Sequence, residues 1–426
     1  MYFVPHLVFI VVMSVKKLLI VGYVWPEPNS SAAGSRMLQL IACFQSAGYQ
    51  VTYASAADIS PHAIDLASIN VCQKSIVLNC SSFDQWVAEV QPDAVLYDRF
   101  MMEEQFGWRV SRACPHALQV LDMEDVHCLR HARHEAVKQG EIFDGVAAPM
   151  SDIALREVAS ILRCDITLVI SEYEMEWLQS TFAIPAQLLH YSPFMIEHVV
   201  PELQPSFEQR QHFIAIGNFR HAPNWDAVLQ LKQCWPAIRA QLPQVELHIY
   251  GAYPPPKATQ LHNTKQGFVV KGWCDDAFDV IKHARVMLAP LRFGAGLKGK
   301  LLDAAQCQTP AITSSIGAEG MYGDLEAMAK ICDTESEFIA QAVTLYQSKP
   351  QWQLLSDAGA QLIPKRFSMD YHCPLLIELI TRVQQQLEQH RRTNFYGAML
   401  RHHSMRSTQY MGQWIEVKNR LQEYCK

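Results

Sequence analysis

The chain has 426 residues, 49% of them hydrophobic and 18% charged, with a formal charge of −6. A chain of that length exceeds a single core and favours two domains. The hydrophobic share excludes wholesale disorder, and the negative balance excludes a general nucleic-acid binder.

The first thirteen residues, MYFVPHLVFIVVM, are apolar but too short to span a bilayer. They lack a basic flank and a small-residue cleavage site, so they do not read as a signal peptide. Met13 offers an alternative start that leads straight into a strand. No other stretch reaches eighteen apolar residues, and no transmembrane helix is predicted. The twelve cysteines are scattered, without a CxxC pair. That argues against a zinc ribbon or a thioredoxin-like motif, and a reducing cytoplasm is the simplest setting.

Strand and helix signals then alternate. Residues 17–23, KLLIVGY, read as a buried strand. A Pro/Ser/Asn/Gly loop leads into a helix over 34–47, Gly48 ends it, and 50–54 return as a strand. Further strands are predicted at 94–98, 117–122 and 166–170. Ser171 with Glu174 has the spacing of a capping box opening a helix through Trp177 and Leu178. Residues 193–211 hold three prolines and no period, and read as a connection.

A second alternation follows. Strands are predicted at 212–216, 245–250, 268–271, 286–290, 310–313 and 329–332, with a helix over 224–241. Such alternation implies parallel sheets with helices on both faces. The predicted fold class is α/β: two Rossmann-like, doubly wound domains facing a cleft, with helices alone from residue 371. The assigned spans are 1–195, a linker at 196–211, 212–370, and C-terminal helices over 371–426. The tail from 391 to 426 has seven Lys/Arg against two Glu. It would pack across a domain or touch an anionic membrane surface.

Ligands of such sheets bind at the carboxyl ends of the strands, which selects the loops to inspect. One stands out: LRFGAGLKGKLLDAAQ, residues 291–306, lies between an apolar strand and a helix. Glycines let backbone N–H groups approach an anion, and the helix N-terminus and Lys298 or Lys300 add positive charge. Gly294 to Lys300 satisfies GxxxxGK, but Leu301 stands where a phosphate-binding NTPase loop needs Ser or Thr for magnesium. Near the N-terminus, Gly34 opens a helix and would let amides approach phosphate. That loop is not GxGxxG, so NAD binding is not supported.

The segment FGAGLKGKLLDAAQCQTPAITSSIGAEGM, residues 293–321, resembles the donor-binding segment of retaining glycosyltransferases with the GT-B fold, family four or "group 1". Gly217 to Asp226 resembles the entry to the family's second domain, and Gly272 to Asp276 its nucleobase loop. The family's paired-glutamate motif is half kept: its second acid falls on Asp303, its first on Ala295. Glu319 is one candidate replacement.

The resemblance implies transfer of a sugar from a nucleotide-diphosphate sugar to an acceptor hydroxyl, with retention. It implies no cofactor and no bound metal, and a role in glycan or polysaccharide synthesis in the cytoplasm or at the inner membrane face. Donor binding falls to Gly34, Trp273, Gly296, Lys298, Gly299, Asp303 and Glu319, and the catalytic assignments are His127, Arg220 and Lys300. Asp98, Glu103 and Asp122, at or after the ends of first-domain strands, are assigned to the acceptor. Partners would be the donor, a glycan, lipid or protein acceptor, and a membrane surface. The alternatives are a non-catalytic nucleotide-sugar-binding protein and an NTPase. His127, His131 and His134 share a helical face and would suit zinc, but Arg130 and Arg133 disfavour a cation.

Overall fold

The computed structural model describes residues 15–143, 145, 150–197 and 204–424. The expectations for the first thirteen residues and for the middle of the connection lie outside the described residues.

Seven strands form the first sheet: β1 Lys17–Gly22, β2 Gln50–Ser55, β3 Cys72–Ser75, β4 Ala94–Asp98, β5 Leu118–Asp122, β6 Ile166–Val169 and β7 Leu189–Tyr191. Their order is β3-β2-β1-β4-β5-β6-β7, and all pairs are parallel. Leu18 to Val21 are almost wholly buried, as a strand covered on both faces requires. β3 had no sequence signal, because all four of its residues are exposed at the sheet edge, where the ladder to β2 holds them.

The second sheet has six parallel strands: β8 Gln211–Ile216, β9 Leu247–Tyr250, β10 Phe268–Gly272, β11 Ala284–Ala289, β12 Ala311–Thr313 and β13 Ala329–Ile331. Their order is β10-β9-β8-β11-β12-β13. Strand order therefore reverses beside β1 in one sheet and beside β8 in the other. Crevices open at such reversals.

The helices Glu335–Gln347 and Lys349–Arg366 complete the second half. The chain then crosses back. Ile196 and the 367–369 segment lie side by side: Ile196 N–H donates to Phe367 O (2.7 Å), and Met369 N–H to Ile196 O (3.0 Å). The helix Met369–Gln385 buries Leu376 and Ile380 on the first half, beside the helix Ala32–Ser46. The last helix, Phe395–Tyr424, packs on Phe100–Ala113 and Asp152–Arg163.

Cys43 and Cys373 form a disulfide between the first helix and the returning one, with Cα atoms 5.6 Å apart. Nothing in the spacing of the scattered cysteines marks this pair. The pair is 330 residues apart and meets only because the C-terminal helices fold back.

Candidate active site

The glycine-rich turn follows β11, which neighbours β8 at the reversal point of the second sheet. It ends in the helix Gly299–Gln306. Gly296 adopts φ +63°, the left-handed region that suits glycine. A Cβ there would lie 3.0 Å from the Asp125 Cβ and 3.2 Å from Ile170. Gly299 lies against Ala32 and Phe194. The turn thus faces the other half, and that half covers it.

Its cations divide. Lys298 is buried and donates to Ala295 O and Gly296 O of its own turn. Burial lowers its pKa, against the pull of Glu319 and Glu174. Lys300 is half-buried and donates to Asn224 Oδ1 at 2.7 Å. Burial, then Lys298, lowers its pKa to about 8. Asp303, one turn on, is pushed up to about 7 by burial, against Lys300. Arg220 is exposed and its guanidinium lies 3.6 Å from the Tyr253 ring centroid. Trp273 follows β10, donates to Asp275 Oδ1 (3.0 Å) and stacks on His62 of the first half at 4.0 Å.

The facing wall is built from the ends of β4 and β5. Asp98 and Asp122 are register partners on these strands, and both are buried. Asp98 Oδ2 accepts from Tyr23 N–H (3.0 Å) and from Arg99 (3.3 Å). Burial raises the pKa of Asp98. Asp122 Oδ1 accepts twice from Arg36, whose guanidinium also donates to Ser192 O and Pro193 O. Glu124 has φ +65° and its pKa is pushed up to about 8, first by burial and then by Asp122. One oxygen each of Asp98, Asp122 and Glu124 is buried without a partner. His127 opens the helix His127–Gln139, with Nδ1 3.4 Å from Asp125 Oδ1 and from Glu157 Oε1. Burial opposes its charge, but these carboxylates raise its pKa.

Several contacts among the described residues close the two halves on each other. Arg133 donates to both oxygens of Glu319 (2.9 and 2.8 Å) and to Gly294 O (2.8 Å). His134 stacks on Phe293 at 4.3 Å, Asn218 donates to Ser30 (3.0 Å), and Tyr253 donates to Glu27 (2.9 Å). Glu174 Oε1 accepts from Val126 N–H (2.9 Å) and Gly296 N–H (2.8 Å). Burial, then Asp125, pushes Glu174 up to about 8.

The structure brings Gly296, Lys298, Gly299, Lys300, Asp303 and Glu319 into one region opposite Asp98, Asp122 and His127. Trp273 and Arg220 flank it. One assigned residue, Glu103, lies elsewhere, and Gly34 lies near the boundary but with its amide already engaged. Glu103 is buried in a pair with Arg163, which also donates to Ser404 of the last helix. The N–H of Gly34 is taken by the Ser31 cap (3.1 Å), and the glycine is needed because a Cβ would lie 2.4 Å from the Glu27 backbone.

The capping box expected at Ser171 is absent, because the Glu174 carboxyl turns to the domain boundary instead. His127 meets Phe100 and His134 meets Phe293, so the histidine face does not converge. Among the described residues the group with metal-ligand spacing is His212, Glu246 and His248, near the starts of β8 and β9. Those groups already bond one another: His212 Nδ1 accepts from Glu246 N–H, and Glu246 pairs with His248. Glu124 and Asp125 belong to the dense polar run after β5 that the sequence places at the cleft, whereas Arg36, Arg133 and Glu174 carried no signal of a role here, since their partners are far away in the chain.

Residues 210–348 match the family model described as "Glycosyl transferases group 1". The matched stretch takes in most of the second half, which therefore resembles the corresponding part of that family. Solved structures extend the likeness from the second half to both halves. Anabaena HepE, in complex with UDP and glucose, aligns with a TM-score of 0.61 at 11% identity, over 88% of this chain and 99% of that one. Sucrose-phosphate synthase of Thermosynechococcus elongatus gives 0.61 at 13%, over 86% and 99%. TarM of S. aureus gives 0.55 at 11%, over 70% of this chain and 58% of its own. At these identities the likeness is one of fold, the two-domain GT-B arrangement. No curated protein sequence gave a match.

Proposed function

We propose that the chain transfers a sugar from a nucleoside diphosphate sugar to an acceptor hydroxyl, retaining the anomeric configuration and using protein cations rather than a metal. The observation that carries this reading is the lysine-bearing turn: it ends one sheet at its reversal point and faces the buried carboxylates that end the other. A departing diphosphate leaves negative charge that must be stabilised away from water. Lys300, the amide end of the helix Gly299–Gln306 and Arg220 supply that stabilisation. An arriving phosphate restores the charge that burial disfavours on Lys300. His127 and the unpartnered oxygens of Asp98 and Asp122 provide groups for acceptor hydroxyls. The UDP and glucose of HepE and the UDP of TarM support a nucleotide-sugar donor.

Ala295, where the related motif carries an acid, favours a second reading as a nucleotide-sugar-binding protein. A thermal-shift screen with UDP, GDP, ADP and their sugar conjugates, followed by a transfer assay with a chelator present, separates the two. Transfer that survives the chelator is expected. Binding without turnover would support the second reading, and loss of activity restored by a divalent cation would refute metal independence. Conversion of an α-linked donor into a β-linked product would refute retention.

A further inference from the structure

We propose that Glu174 is a positioning residue that registers the donor turn against the acceptor half; the role rests on the transfer reaction proposed above. Glu174 belongs to the helix Glu172–Phe182 of the first half and is 1% exposed. Its sequence position spells a helix cap, yet it makes none. Instead one carboxyl oxygen accepts from two backbone amides that belong to different halves. One is Val126 N–H, immediately before His127, and the other is Gly296 N–H, in the middle of the glycine-rich turn.

A single buried atom therefore fixes the separation between the residue assigned to the acceptor and the turn assigned to the diphosphate. The other oxygen is buried without a partner. Lys298 holds Ala295 O and Gly296 O of the same turn, so its carbonyls and its amide are both held by charged side chains. Position 295 itself has no carboxylate. Besides Glu319 of its own half, the turn meets Glu174 of the other half, which is delivered only when the halves meet. Closure and alignment become one event, which is how an enzyme avoids donor hydrolysis before the acceptor is seated.

Hydrogen exchange read by mass spectrometry on the full chain tests this without relying on activity. In Glu174→Ala, exchange is expected to quicken at least tenfold in two peptides, residues 123–129 and 293–299, while the rest of the first half is unchanged. Glu174→Gln keeps a carbonyl oxygen for both amides and restores protection in both. Unchanged exchange at 293–299, or quickening throughout the first half, overturns the proposal. In the transfer assay Glu174→Ala should lower kcat at least tenfold with the donor KM within threefold, and an equal change in both contradicts positioning. A wild-type chain that transfers nothing would sink the transfer reading, while the exchange result still decides whether Glu174 bridges the halves.

Discussion

Lys300 carries a charge that its surroundings disfavour, since burial lowers its pKa to about 8. Removing that charge therefore does not weaken the fold. Lys300→Ala is expected to lower donor affinity at least tenfold, about 1.4 kcal/mol, with stability within about 0.5 kcal/mol. Calorimetric titration with the nucleotide and urea unfolding check it, and a matching loss in both would make the lysine structural. Glu124 has the opposite sign of charge and a pKa raised to about 8. A carboxyl raised in the folded state stabilises fully below its ordinary pKa, and that contribution is lost as pH rises through the folded value. Glu124→Gln removes the penalty on the ionised form. The variant should therefore gain stability relative to the wild type between pH 5 and 9, with the gain growing as pH rises. A gap that shrinks over that window contradicts the assignment. Lys298, Lys300 and Asp303 were visible in the sequence because glycines and lysines crowd a strand–helix junction. Glu124 was visible as part of a polar run at a strand end, while Arg36 was not, because its meaning depends on Asp122, distant in the chain.

The elements are mostly local in origin. Strands such as Leu18 to Val21 declare themselves as unbroken apolar runs, and the helices by caps and stops. β3 shows the limit, since an exposed edge strand has no pattern to read. The C-terminal helices show another: their helicity is local, but their docking surface is not. Leu376 and Ile380 have no exposed surface, because the helix Met369–Gln385 lies on the first half rather than the adjacent second one. Leu376→Ala should cost about 2–5 kcal/mol, read as a lowered urea midpoint. The last helix packs one side and leaves Tyr410, Trp414, Val417 and Leu421 exposed at helical spacing, with Met411 beside them. Among the described residues no helix is long and apolar enough to cross a membrane. A stripe of this kind, with Arg406 and Lys418 nearby, suits the surface of an anionic bilayer. Sedimentation with phosphatidylglycerol vesicles should carry the protein down, and Trp414→Ser should reduce that at least threefold. Equal recovery of both proteins with and without vesicles would remove the membrane from the account.

At the scale of the molecule, among the described residues the chain passes between the two halves at Ile196 and again at 367–369, and these segments lie side by side. Such a joint permits rotation. Arg133 holds the closed arrangement from the first half by gripping Glu319 and Gly294 O. Arg133→Met should open the resting molecule, seen as a larger radius of gyration in small-angle scattering that nucleotide reduces. A scattering curve identical to the wild type would mean that Arg133 does not govern closure.

The sequence by itself determined the two alternating α/β series, the place of the connection and the glycine- and lysine-rich turn. Each of these is written in neighbouring residues, through hydrophobic period, turn chemistry and spacing. Only the tertiary structure decided that Glu103 belongs to a buried ion pair and that Glu174 serves two amides instead of a cap. It also decided that Cys43 meets Cys373 and that the tail lies on the first half. These outcomes depend on which distant groups come within reach of a buried charge or thiol. A buried carboxylate is held by whichever donors surround it, and chain order does not say which they are.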